Sequence, residues 1–151
     1  MKINVDRMRY KKDSMSFWLC MLGMVFNIVH FIILHSSCYL QTMTGSEGLQ
    51  YAYIGLDILY NIIFLLMVFY MAEELKTYRR NWNIAAVIIG ALQLCRIGWF
   101  PRIMFESGFY DEAVYGQIKL FLFLSAACFF ITAVVSIMKS TLLLRHIKAI
   151  K

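Results

Sequence analysis

Six polar residues interrupt the apolar stretches of this 151-residue chain, and their types could do chemistry. They form three pairs: Asn27 with His30, Asp57 with Asn61, and Gln93 with Arg96. Because the members of each pair are three or four positions apart, both lie on one face of a helix. An aspartate, an arginine and a histidine with amide neighbours could bind a polar ligand, relay a proton, or join helices by hydrogen bonds.

The stretches that carry these pairs have the composition and length of membrane-spanning helices. The chain is 61% hydrophobic and 16% charged, whereas soluble domains hold roughly 45–50% apolar and 25% charged residues. Four apolar blocks lie at about 15–35, 51–71, 83–104 and 116–138. At about 1.5 Å per residue, each crosses a hydrocarbon core of roughly 30 Å as a helix. We therefore predict an all-α integral membrane protein, a four-helix transmembrane bundle, as one domain over 1–151.

Basic residues flank these blocks unevenly, and this asymmetry predicts an orientation. Twelve of the 15 lie before block one, between blocks two and three, or after block four: Lys2, Arg7, Arg9, Lys11, Lys12, Lys76, Arg79, Arg80, Lys139, Arg145, Lys148 and Lys151. The positive-inside rule places these segments in the cytoplasm. We expect a multi-pass protein of the cell membrane with both chain ends cytoplasmic. Block one is expected to be retained, since its apolar run exceeds that of a signal peptide and no small-residue cleavage site follows.

Two further features complete the predicted bundle. Pro101 is expected to end or kink the third helix. The basic extension at 139–151 is expected to continue helix four and to lie against anionic headgroups. Block four also carries a stripe of small polar side chains at helical spacing: Ser125, Cys128, Thr132 and Ser136.

The ionisable residues of the first three blocks are predicted to lie at one depth. Counting along each helix places His30, Asp57 and Arg96 about 8 to 10 Å below the outer surface of the hydrocarbon core. An unpaired charge at this depth is costly, so we predict an ion pair between Asp57 and Arg96, with His30 hydrogen-bonded nearby. Three interpretations remain open. The cluster joins helices one to three, or it forms the floor of an outward-facing pocket for a proton or polar ligand, or Arg96 extends outward to Glu106.

No catalytic or cofactor-binding motif accompanies these residues. The four cysteines, at positions 20, 38, 95 and 128, show no C-x-x-C spacing, and the three histidines do not offer haem ligands from two helices at one depth. Nucleotide-binding, zinc-protease and nucleophile-elbow patterns are absent from the sequence. We predict a protein that is not an enzyme, with no catalytic residues, no bound metal and no cofactor.

Three function classes fit a small membrane bundle without such motifs. The first, which we predict, is an accessory subunit of a larger membrane complex of the transport type. The second is a self-contained small transporter or channel, necessarily oligomeric, that uses the His/Asp/Arg cluster. The third is a membrane-embedded sensor of a lipid or small hydrophobic ligand. The expected partners are the lipid bilayer, anionic headgroups at the cytoplasmic face, and either a membrane-protein partner or further copies of the chain, but no nucleic acid.

Overall fold

The computed structural model describes residues 12–38, 47–79 and 81–150, and every regular element within them is an α-helix. The helices are α1 (Ser14–Cys38), α2 (Glu47–Lys76), α3 (Asn81–Ile97), α4 (Phe100–Glu106) and α5 (Glu112–Ile150). Within the described residues, four helical segments are long and apolar enough to cross a membrane: Ser14–Ser37, Tyr51–Lys76, Asn81–Glu106 and Glu112–Ala149. The prediction of an all-helical chain with four membrane-length helices is therefore confirmed.

The third of these segments is broken near one end. Instead of running to 104, α3 ends at Ile97, and α4 begins at Phe100 with Pro101 in its first turn. The last turn of α3 tightens, because the backbone N–H of Trp99 donates to the carbonyl of Arg96, three residues back. Proline has no N–H to donate, so it is well accommodated at the start of the next helix. The break thus falls just before the proline.

The other helices run longer than their apolar blocks. α5 extends from Glu112 to Ile150 without interruption, so the predicted span at 116–138 and most of the basic extension at 139–151 form one helix. The predicted cytoplasmic residues Lys2, Arg7, Arg9, Lys11, Arg80 and Lys151 lie outside the described residues.

α5 is the central helix of the bundle, packing along both α1 and α3, while α2 packs mainly against α1 and less against α3. Glycine allows the closest of these contacts. A Cβ atom added to Gly23 of α1 would lie 3.1 Å from Cβ of Cys128 and 3.1 Å from the ring of Phe129, both on α5. Gly90 of α3 meets the ring of Phe130 in the same way, at 3.2 Å. Small residues therefore set the helix spacing here.

A buried aspartate fixes the start of α1. The carboxylate of Asp13 accepts a hydrogen bond from the backbone N–H of Ser16 (3.2 Å) and pairs with Nζ of Lys139 on α5 (2.6 Å). Its own backbone N–H donates to the carbonyl of Lys76 at the end of α2 (3.1 Å). Asp13 is thus the N-cap residue of α1 and also joins α1, α2 and α5.

Candidate functional site

All six polar residues predicted as a cluster are buried between the helices. They are Asn27 and His30 on α1, Asp57 and Asn61 on α2, and Gln93 and Arg96 on α3. Each pair lies on the inward face of its helix, as the spacing predicts. Five of the six share one hydrogen-bond network, and His30 lies beside it.

The centre of this network is an ion pair between α2 and α3. Nη2 of Arg96 lies 2.6 Å from Oδ1 of Asp57, and the two side chains are only 6% and 3% exposed. The other carboxylate oxygen accepts a hydrogen bond from Nδ2 of Asn61 at 3.1 Å. Burial removes water from both charges, so the pair depends on these direct partners to offset its desolvation. The structure brings together the two residues that the sequence analysis pairs.

Two asparagine side chains accept further hydrogen bonds from the guanidinium group. Nη1 of Arg96 donates to Oδ1 of Asn27 (3.2 Å) and to Oδ1 of Asn61 (3.1 Å). Nδ2 of Asn27 also donates to Oδ1 of Asn61 at 3.0 Å. The amide oxygen of Asn27 accepts a further bond from Nε2 of Gln93 at 2.8 Å. Helices α1, α2 and α3 are therefore connected through one set of polar side chains.

Ser125 brings α5 into the same network, although it is not among the six predicted residues. Its hydroxyl donates to the carbonyl of Gly23 on α1 (2.8 Å) and accepts from Nε2 of Gln93 (3.3 Å). The available signal was the stripe of small polar residues on block four, which places Ser125 on the same face as Thr132. A serine changes the hydropathy of a helix very little, so hydropathy could not single out Ser125. Its place in the network depends on the register of α5 against α1.

His30, predicted to be hydrogen-bonded near the ion pair, bonds to the backbone of Asn27 and makes no direct bond to Asp57 or Arg96. Nδ1 of His30 lies 3.3 Å from the carbonyl oxygen of Asn27, one turn back on its own helix, and Nε2 has no hydrogen-bond partner among the described residues. The histidine that approaches the carboxylate is His35, whose Nε2 lies 4.0 Å from Oδ2 of Asp57. The two histidines point about 140° apart on α1, so the rotation of this helix decides between them.

The interpretation in which Arg96 extends outward to Glu106 is wrong. All of its hydrogen bonds point into the bundle, to Asp57, Asn27 and Asn61. Glu106 instead accepts from Nε of Arg102, one turn back, at 2.8 Å. The inward arrangement gives Arg96 three oxygen partners. The outward arrangement would leave the buried carboxylate of Asp57 without its cation, which is less stable.

One flank of the ion pair borders a cavity of about 290 Å³ between α2 and the α3–α4 segment. Asp57 and Arg96 contribute to its wall together with aromatic side chains, among them Tyr60 and Trp99. The guanidinium carbon lies 4.6 Å from the centre of the Tyr60 ring, within cation–π distance. The cavity is half-open on the side of the bundle where α2 and α3 meet. Asp57 of the predicted pocket lines this cavity, but His30 does not, because no residue of α1 reaches it.

The described residues offer limited chemistry beyond this network. No group of three histidine, cysteine, aspartate or glutamate side chains among them could hold a metal ion. Of the cysteines with described side chains, Cys20 and Cys128 are buried and Cys95 is exposed, all as free thiols. The arrangement can hold helices together, and it can present one charged pair to a ligand in the adjacent cavity.

Comparison with known proteins assigns no relatives. No family matches the chain, and no curated protein or solved structure matches it.

Proposed function

We propose that this chain is a non-enzymatic, multi-pass protein of the cell membrane and an accessory subunit of a larger membrane complex, of the transport type. Both chain ends lie in the cytoplasm in this proposal, following the positive-inside rule. Arg145 and Lys148, exposed near the end of α5, would contact anionic headgroups there. Four helices of membrane length support the location.

The observation that carries the proposal is that the two buried charges pair with each other inside the chain, within a network that reaches four helices. The Asp57 carboxylate and the Arg96 guanidinium bind each other, and three amide side chains and one serine satisfy most of the remaining groups. Such a network holds four helices in one arrangement, because moving any helix would leave a buried polar group without a partner. A rigid bundle is suited to supporting a partner protein.

A face of α2 is available for that partner. Leu59, Ile63 and Leu66 lie three or four positions apart and are each at least half exposed. They lie away from the buried residues Asp57 and Asn61 on the same helix. Because α2 lies at the edge of the bundle, a helix from another protein could pack along this face without displacing any helix of the chain.

Site-specific photo-crosslinking in native membranes tests the proposal. A photoreactive amino acid at position 63 on α2 is compared with one at position 134 on α5, where Val134 is similarly exposed. We expect one discrete adduct with a different membrane protein from position 63 and none from position 134. Adducts with lipid alone from both positions would contradict the subunit proposal.

The orientation is tested separately with epitope tags at the two chain ends. In sealed cells, both tags should be inaccessible to antibody until the membrane is permeabilised. Labelling of either tag in intact cells would refute the proposed topology, whatever the crosslinking shows.

A second candidate function is a small oligomeric transporter or channel, and the cavity beside Asp57 and Arg96 favours it. In that case position 63 would form an adduct between copies of this chain. Purified protein in liposomes would also conduct ions or carry solute, and Asp57→Asn would abolish this flux while the protein still accumulates. Under the subunit proposal, the purified chain alone gives no flux.

A further inference from the structure

The cavity between α2 and the α3–α4 segment has features that helix association does not require. Its volume of about 290 Å³ is near the lower end of ligand pockets, which are about 300–1,000 Å³. Four aromatic side chains line it: Tyr53, Tyr60, Trp99 and Phe100. Close packing of α2 on α3 would have filled this space with side chains. Its walls are instead suited to an apolar guest.

The polar part of this cavity has unused hydrogen-bond donors. A guanidinium group carries five N–H bonds, and three of those of Arg96 reach Asn27, Asn61 and Asp57. The remaining two, one of them on Nε, make no hydrogen bond to any described residue. Since Arg96 is nine-tenths buried and lines the cavity, a ligand there is the available source of an acceptor.

The charge of the cavity also restricts the ligand. Arg96 and Asp57 both line it and neutralise each other at 2.6 Å. Because the pair carries no net charge, neither an anion nor a cation gains a net attraction that would offset its own desolvation in the cavity. The group that fits is an uncharged oxygen acceptor.

A second cavity, between α1 and α2, provides a contrast. It is larger, about 440 Å³, and its polar residues are Asn27 and Asn61. Each of their amide oxygens already accepts two hydrogen bonds from the network. Most of its other lining residues are aliphatic. No charged side chain with free donors reaches this cavity, so the α2–α3 cavity is the better binding site.

We propose that the α2–α3 cavity binds one molecule of an uncharged amphiphile, with an apolar chain and an ester or hydroxyl oxygen that accepts from Arg96. The ligand enters sideways from the bilayer, because the cavity lies on the flank of the bundle. The apolar chain packs against the aromatic walls, and the oxygen reaches the free guanidinium donors. This site does not rest on the subunit proposal, since it lies within a single chain.

Native mass spectrometry of the full-length protein in detergent tests this site, with a monoacylglycerol as the probe. Leu92→Trp places a large side chain in the cavity, and Leu94→Trp is the matched control on the same helix outside it. Both leucines are exposed, so both variants are expected to fold. We expect saturable binding of one probe molecule, weakened at least about tenfold by Leu92→Trp and changed less than about twofold by Leu94→Trp.

Cys95 provides an independent readout in the same experiment. Its thiol is exposed and lines the cavity, whereas Cys20 and Cys128 are buried. Bound monoacylglycerol should slow alkylation of Cys95 in the natural protein and in Leu94→Trp. In Leu92→Trp, adding the probe should leave the alkylation rate unchanged.

Charged probes of equal chain length decide the ligand class. A fatty acid tests for an anion and an alkyltrimethylammonium ion tests for a cation. Tighter binding of either one than of monoacylglycerol would overturn the assignment to an uncharged ligand. Absence of saturable binding, or an equal loss in both tryptophan variants, would overturn the site itself. None of these results depends on a protein partner, so failure of this site and failure of the subunit proposal are distinguishable.

Discussion

Breaking the central ion pair from either side should have unequal effects on stability. Arg96→Met removes three hydrogen bonds to buried oxygens and leaves the Asp57 carboxylate with Asn61 as its hydrogen-bond donor. Removing one partner of a buried ion pair costs about 3–5 kcal/mol. Asp57→Asn keeps an oxygen that can accept from Nη2 and leaves both asparagine acceptors in place, so we expect a loss of about 1.5–3 kcal/mol.

The double variant Asp57→Asn/Arg96→Met contains neither buried charge. Its loss of stability should therefore be smaller than the sum of the two single losses, by at least about 1.5 kcal/mol. The free energy of unfolding is measured by steric trapping of the full-length protein in bicelles. Losses that add within about 0.5 kcal/mol would show that the two side chains do not interact, and would refute the ion pair between Asp57 and Arg96. If Asp57→Asn lost as much stability as Arg96→Met, the expectation that an amide oxygen at position 57 can still accept from Arg96 would be refuted.

Two further predictions concern helix packing and the start of α1, and both use the same unfolding measurement. Gly23→Ala should destabilise the bundle by about 1–3 kcal/mol, because its Cβ would lie 3.1 Å from side-chain atoms of α5. Gly55 has open space around it, so Gly55→Ala should be neutral or stabilising by up to about 1 kcal/mol. Equal effects of the two alanines would contradict the close approach of α1 to α5. Asp13→Ala removes both the cap and the partner of Lys139, and we expect a loss of about 1–3 kcal/mol. Asp13→Asn keeps a capping oxygen and should lose less, so equal losses would show that the cap contributes nothing.

The membrane-length helices and the ion pair could both be predicted from the sequence for one physical reason. Lipid cannot hydrogen-bond a peptide or stabilise a charge, so apolar length predicts helices and a buried aspartate predicts a nearby cation. With Arg96 at about the same depth as Asp57, few other pairings were available. The prediction needed only the depth of each residue, which counting along a helix supplies.

Features that depend on helix rotation could not be predicted in this way. Asn27 bonds to Asn61 and Asp13 to Lys76, so α1 and α2 run antiparallel and the level of His30 matches that of Asp57. His30 therefore lies level with Asp57, as counting along the helices predicts, but counting could not tell which way its ring points. The rotation of α1 depends on its packing against α5, which a single helix does not encode.

Asp13 and the break before Pro101 show two other limits of the sequence. Asp13 lies among basic residues at the edge of an apolar block, where a solvated side chain would be expected. Its burial follows from its position between the end of α2 and Lys139 in the interior of α5. The turn between α3 and α4 also directs Trp99 and Phe100 to the α2–α3 cavity, which hydropathy could not indicate.

The most direct test of the buried ion pair between Asp57 and Arg96 is solid-state NMR of the full-length protein in lipid bilayers. Dipolar dephasing between arginine guanidinium ¹⁵N and aspartate carboxyl ¹³C measures direct contact of the two groups. Among the described residues, Asp57 and Arg96 form the one aspartate–arginine ion pair. We expect strong dephasing consistent with the 2.6 Å separation of Oδ1 and Nη2, and its loss in Asp57→Asn. Dephasing that is absent, or that persists in this variant, would contradict a buried pair joining α2 to α3.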